Sequence, residues 1–97
     1  MLKREEIIGK LKKHQTEIQE KYSVKALGIF GSFVRGTQKR MSDIDILVEF
    51  EELPDLLRFI ELERYLSKIL SKKVDLIEKT SLKPRLKEII LKEVVYI

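Results

Sequence analysis

Two aspartates bracket Ile44 at the head of an apolar run, SDIDILV at 42–48, and this arrangement limits what the chain can fold into more than any other stretch. In an extended strand alternate side chains share a face, so Asp43 and Asp45 project to one side and Ile44 to the other. Two ionised carboxylates ~4 Å apart repel by on the order of a few kcal/mol at an effective dielectric of ~20. That repulsion persists unless one is protonated or a cation lies between them. A divalent metal is the natural remedy. Just upstream, ALGIFGSFVRG at 26–36 reads as a second β-compatible run, with Leu27, Ile29 and Phe30 ended by Gly31 and Ser32. The two runs together form the candidate site, one for a metal and a phosphate-bearing ligand.

The donor inventory narrows the metal. The chain has no cysteine and a single histidine, which excludes disulfides and a thiolate zinc site and argues against a histidine-based one. Oxygen ligands remain, pointing to magnesium, with manganese as an alternative. At 97 residues a single domain spanning 1–97 is expected, small enough that a ligand or partner would contribute to its stability. No apolar run reaches the ~18 residues of a membrane span, and the charged N-terminal stretch lacks a signal peptide's apolar centre. A cytoplasmic protein, with no membrane contact, is the expectation.

Taken in order, Ile7, Leu11 and Ile18 recur at helical spacing and predict one helix over 3–21. His14 falls in the same stripe, but a lone histidine there is more often packed than catalytic. Residues 24–30 predict the first strand, and a short helix is expected over 33–38, with Ser32 as its N-cap. A helix N-terminus attracts phosphate; read alone, however, Gly31 and Ser32 are better explained as an ordinary strand-to-helix turn. The second strand is expected over 42–50. After Pro54, Leu56, Phe59, Ile60, Leu62, Leu66, Ile69 and Leu70 make a broad apolar face for a helix over 55–70, with Tyr65 at its rim.

Residues 74–78 predict a third strand. Val74 and Leu76 share one face, which leaves Asp75 on the other with Ile77. An acid on a central strand is unfavourable without a purpose, and if this strand lies beside 44–48, Asp75 joins Asp43 and Asp45. Thr80 or Ser81 is a candidate cap for a last helix with Pro84 in its first turn and Leu82, Leu86, Ile89, Ile90 and Glu93 on successive turns. Residues 94–97 are β-prone and suit an edge strand. The segment 79–97 carries five basic residues against two acidic ones. That basicity is compatible with nucleic-acid binding, although a solvated helix face is the simpler explanation.

The order Gly31, Ser32, ten residues, Asp43, Ile44, Asp45, and then a strand aspartate at Asp75 resembles the nucleotidyltransferase superfamily that includes DNA polymerase beta. In size, and in the run from Pro54 to the basic last helix, the chain is similar to its minimal nucleotidyltransferase (MNT) branch. The resemblance implies an α+β fold, an α/β sandwich with a mixed sheet of three to four strands and helices packed on it. It also implies an antitoxin that transfers AMP from ATP to a tyrosine of a HEPN-domain ribonuclease toxin, with which it would form a hetero-oligomer. On that resemblance Asp43, Asp45 and Asp75 hold two magnesium ions, Asp75 helps deprotonate the acceptor hydroxyl, and Gly31 and Ser32 hold the terminal phosphates. Arg35 either adds a charge-assisted phosphate contact or restrains the loop through a salt bridge. The competing expectations are an antitoxin that neutralises its toxin by binding alone and a basic nucleic-acid-binding module; direct nucleic-acid binding is the less favoured.

Overall fold

A computed structural model describes residues 2–97. Its elements run α1 (Arg4–Lys13), α2 (Gln15–Tyr22), β1 (Val24–Phe30), α3 (Ser32–Arg35), β2 (Ile44–Phe50), α4 (Leu56–Leu70), β3 (Val74–Glu78), a 3-10 turn (Lys79–Ser81), α5 (Pro84–Glu93) and β4 (Val95–Tyr96). The four strands form one mixed sheet in the order β3-β2-β1-β4. β1 is antiparallel to β2 and to β4, and β2 is parallel to β3. The expected α+β architecture is present, and the terminal segment is an edge strand.

Strand alternation divides the apolar residues between two layers. Ile44, Ile46, Val48, Val74 and Leu76 face the main core, where Ile7 and Leu11 of α1, Ile18 of α2 and Leu62, Leu66 and Leu70 of α4 pack against them. Each fully buried Leu or Ile contributes ~1.5–3 kcal/mol relative to an exposed one. The opposite face is only partly covered: Phe30 and Leu47 meet Ile90, the one buried residue of α5. That incomplete cover leaves the second face open where the aspartates lie.

Helix α4 also closes the sheet's β3 edge. Glu63 Oε2 accepts a hydrogen bond from the Leu76 N–H at 2.9 Å, and Ser67 Oγ accepts one from the Val74 N–H at 3.1 Å. Two outward backbone donors of an edge strand are thereby paired inside the chain, and the peptide segment carrying Asp75 is held on both sides.

Four expectations are corrected. The helix predicted over 3–21 is two helices broken at His14, whose backbone N–H bonds to the Leu11 carbonyl. The Lys10 carbonyl instead accepts from His14 Nδ1 at 2.9 Å, so a side chain replaces the i−4 backbone donor and the helix turns. Ser32 is the first residue of α3, whose cap is Gly31, and that helix ends at Arg35 because Gly36 takes a left-handed conformation with φ 75°. The last helix begins at Pro84 with Lys83 as its cap, because Lys79–Ser81 form a separate turn. Leu56 belongs to no core face: it is 72% exposed, lying roughly 120° around α4 from Leu62 at 100° per residue.

Candidate active site

The end of β1 and the starts of β2 and β3 come together at one end of the sheet, because β2 runs against β1 and alongside β3. Asp45 pairs in register with Phe30 on one side and with Asp75 on the other. Register partners share a face, so Asp45 and Asp75 both project towards the α5 side, with Leu47 and Ile77 next along their strands. Asp43 lies just before β2, 44% exposed, with Oδ2 3.8 Å from Lys73 Nζ. At that separation and exposure the ion pair contributes little.

Gly31 occupies the turn beside Asp45. Its φ of 77° and ψ of −151° fall in a region that is essentially reserved for glycine. A Cβ there would overlap Oδ2 of Asp45 and lie 3.1 Å from its Cγ. The carboxylate thus rests against the glycine backbone, and the carbonyl of Gly31 accepts from the N–H groups of Val34 and Arg35, the last two residues of α3.

Burial, followed by the fields of Asp75 and Asp43, pushes the Asp45 carboxyl above its ordinary value, and Glu93 adds to the effect while Arg35 opposes it. A carboxyl with a raised folded-state pKa favours folding below the ordinary carboxylate range, and that contribution is lost as pH rises through the raised value. At neutral pH the ionised Asp45 therefore weighs against the fold. Asp45→Asn is expected to raise Tm in metal-free buffer at pH 7, with the gain vanishing as pH falls below ~4. If these carboxylates hold magnesium, the ion should raise Tm for the parent protein and less, or not at all, for the variant. Thermal scans at several pH values with and without magnesium test this, and a lower Tm for the variant at pH 7 would contradict it.

The crowding at Asp45 is the observation that bears on a metal. All the nearby donors are carboxylate oxygens, a set suited to a hard divalent cation, and adjacent backbone positions carry them. Their side chains do not converge: among the described residues no three His, Cys, Asp or Glu side chains form a metal-holding group. The fit is one of donor chemistry and backbone placement.

Arg35 and Glu93 were weighed differently by the sequence. Arg35 Nη1 is 2.6 Å from Glu93 Oε1, which is the loop-restraining ion pair expected as one of its two roles. Glu93 is only 17% exposed in this pair, and with Gly31, Arg35 and Asp45 it lines an open cleft of about 280 Å³ between the sheet and α5. Sequence reasoning passed over Glu93 as a site residue; the available signal was an acid on the otherwise apolar stripe of its helix. His14 and Tyr65 lie elsewhere, edge to face at 6.3 Å. Burial, with Glu17 adding to it, pushes the Tyr65 hydroxyl up to about 12, so it remains a neutral phenol. Among the described residues no helix is long and apolar enough to cross a membrane.

Known proteins match this architecture along most of the chain. The nucleotidyltransferase domain family profile matches residues 11–97. Protein adenylyltransferase MntA of Thermococcus cleftensis is 52% identical over 97 residues, covering 100% of this chain and 98% of that protein. A solved structure provisionally named a minimal nucleotidyltransferase superimposes with a TM-score of 0.82 at 30% identity, over 97% of this chain and 95% of its own. A chain from the crystal structure of a toxin-antitoxin complex with AMP-PNP gives a TM-score of 0.72 at 27% identity, over 87% of this chain and 69% of its own.

Proposed function

From the premise that this chain belongs to the nucleotidyltransferase domain family, we propose that it is a protein adenylyltransferase acting as an antitoxin. In this reading AMP passes from ATP to a tyrosine of a HEPN-domain ribonuclease toxin, and pyrophosphate is released. The observation that carries the proposal is the Asp45 carboxylate seated against Gly31, with Asp75 in register beside it and Asp43 two residues before it. The adenylyltransferase relative and the toxin-antitoxin complex with AMP-PNP support an adenine nucleotide as donor and a toxin as partner, while the HEPN class of that toxin and its tyrosine rest on the motif resemblance.

In the reaction the tyrosine oxygen bonds to the α-phosphorus, the bond to the bridging oxygen of pyrophosphate breaks, and Asp75 takes the phenolic proton. Gly31, whose backbone angles only glycine accepts, and Ser32 form the turn that receives the phosphates. Arg35, held at the edge of the cleft by Glu93, supplies a fixed cation to the triphosphate. Asp43, Asp45 and Asp75 would hold two magnesium ions, or manganese, and the ions would neutralise the phosphate charge that develops during in-line displacement.

The test is to incubate the protein with ATP, magnesium and a HEPN-domain ribonuclease toxin and to measure the intact mass of the toxin. One or more added adenylyl groups, with the modification on tyrosine and the ribonuclease silenced, is the expected result. Silencing of the toxin with no mass change would instead mean inhibition by occlusion.

A further inference from the structure

Besides Leu91 at 36%, helix α5 leaves two large apolar side chains about half exposed, Leu86 at 49% and Ile89 at 57%. Both line the cleft that holds Asp45 and Gly31, so they form a lip over the reaction centre. Two basic residues border this lip: Arg85 lies four residues before Ile89, a spacing that makes side chains neighbours on a helix, and Lys83 is the exposed residue that caps α5, three positions before Leu86. Lys92 pairs with Glu88 and Glu93 with Arg35, which leaves Lys83, Arg85 and Lys87 without an ion-pair partner among the described residues.

The direction of the chemistry indicates what meets this lip, and here the argument rests on the transfer reaction proposed above. In an in-line displacement the attacking oxygen and the leaving group occupy opposite sides of the phosphorus. Gly31 and Ser32 follow β1, Asp45 is on the neighbouring β2, and Asp75 is on β3 beyond it. With the leaving pyrophosphate on the β1 side, the acceptor enters across Asp45 from the β3 side. Helix α5 spans that same line. It follows β3, with Leu82 in the cluster that contains Ile77, and its last turn reaches Arg35 of α3. The cleft that Leu86 lines also holds Ile77 of β3, so Leu86 borders the acceptor's entrance.

We propose that Leu86 and Ile89, flanked by Arg85 and Lys83, form the docking ledge for the acceptor segment of the protein substrate, and that this segment combines apolar with acidic side chains. Apolar contact supplies the affinity, and the two cations steer and orient an acidic strand or helix. A single-stranded nucleic acid fits the ledge less well, because α5 offers no aromatic side chain on which a base could stack.

Two double variants test the ledge, Leu86→Ser with Ile89→Ser and Lys83→Glu with Arg85→Glu, with the HEPN-domain toxin of the transfer assay as the probe. All four side chains are solvent-facing or at the helix start, and unchanged Tm values verify that each variant folds. Each pair is expected to raise KM for the toxin about tenfold or more with kcat within about twofold, the pattern of lost ground-state binding. Calorimetry should show the same loss in Kd for the toxin and unchanged affinity for AMP-PNP. Because calorimetry reads docking without transfer, a parent protein that binds the toxin but makes no adduct would overturn the reaction and leave the ledge measurable. Unchanged toxin affinity in both variants would overturn the ledge. So would weakened AMP-PNP affinity with toxin affinity intact, which would assign the lip to the nucleoside, or a loss confined to binding of a single-stranded RNA oligonucleotide.

Discussion

On the proposed reaction, replacing Asp43 and Asp45 together by asparagine is expected to abolish AMP transfer while leaving the protein folded and able to bind the HEPN-domain toxin. Asparagine keeps the shape of each side chain and removes its negative charge, so packing beside Gly31 is preserved while the hard anionic donors are lost. Metal-type charge stabilisation supplies several kcal/mol to a displacement of this kind, and at 1.36 kcal/mol per tenfold its loss corresponds to a rate fall of about 10³-fold or more. The measurement is the initial rate of adduct formation by intact-mass analysis, with calorimetry to confirm that the complex still forms. If the double variant still inhibits the ribonuclease fully, occlusion is the operative mechanism. An adduct made at an undiminished rate would remove the aspartates from the site.

Gly31→Ala should have the second-largest effect, and for a reason that is purely geometric. The residue's φ of 77° and ψ of −151° cost a non-glycine residue ~1–3 kcal/mol. The new methyl group would also overlap the Asp45 carboxylate, and relief requires either the turn or the aspartate to move. A shift of ~1 Å in a reacting group costs on the order of 10²-fold in rate. The expected outcome is therefore a lower Tm together with at least that loss of transfer. At 4–8 °C per kcal/mol for a domain of this size, the fall in Tm should be on the order of 10 °C. A variant with parental Tm and rate would show that the carboxylate does not sit against the glycine in solution.

The strands were legible because their alternation is a local property. Asp75 could be assigned to the face of Ile77 from its own neighbours alone, and the register with Asp45 then brought it to the site. The helix boundaries were less legible, because a cap depends on backbone angles that several residues satisfy. Ser32 is a good capping type, yet Gly31 takes the position, since only glycine accepts the angles that let β1 turn beside Asp45. His14 breaks the first helix through a ring hydrogen bond to the Lys10 carbonyl, which apolar spacing does not register. Leu86 and Ile89 belonged to the predicted apolar stripe, but α5 lies on a face with too little sheet beneath it to bury them.

By itself the sequence determined that Asp45 and Asp75 each oppose the apolar neighbours that fill the core, and that a metal would be held mainly by oxygen donors. Side-chain period and residue chemistry are sufficient for those statements, whereas β2 begins at Ile44 and leaves Asp43 just outside the strand on which it was expected. Only the tertiary structure decided that Asp45 lies against Gly31, that Glu93 reaches across the cleft to hold Arg35, and that α5 leaves an apolar lip beside the aspartates. Each of these joins residues far apart in the chain, and their separation in space depends on strand order and on which sheet face a helix covers, neither of which local periodicity contains.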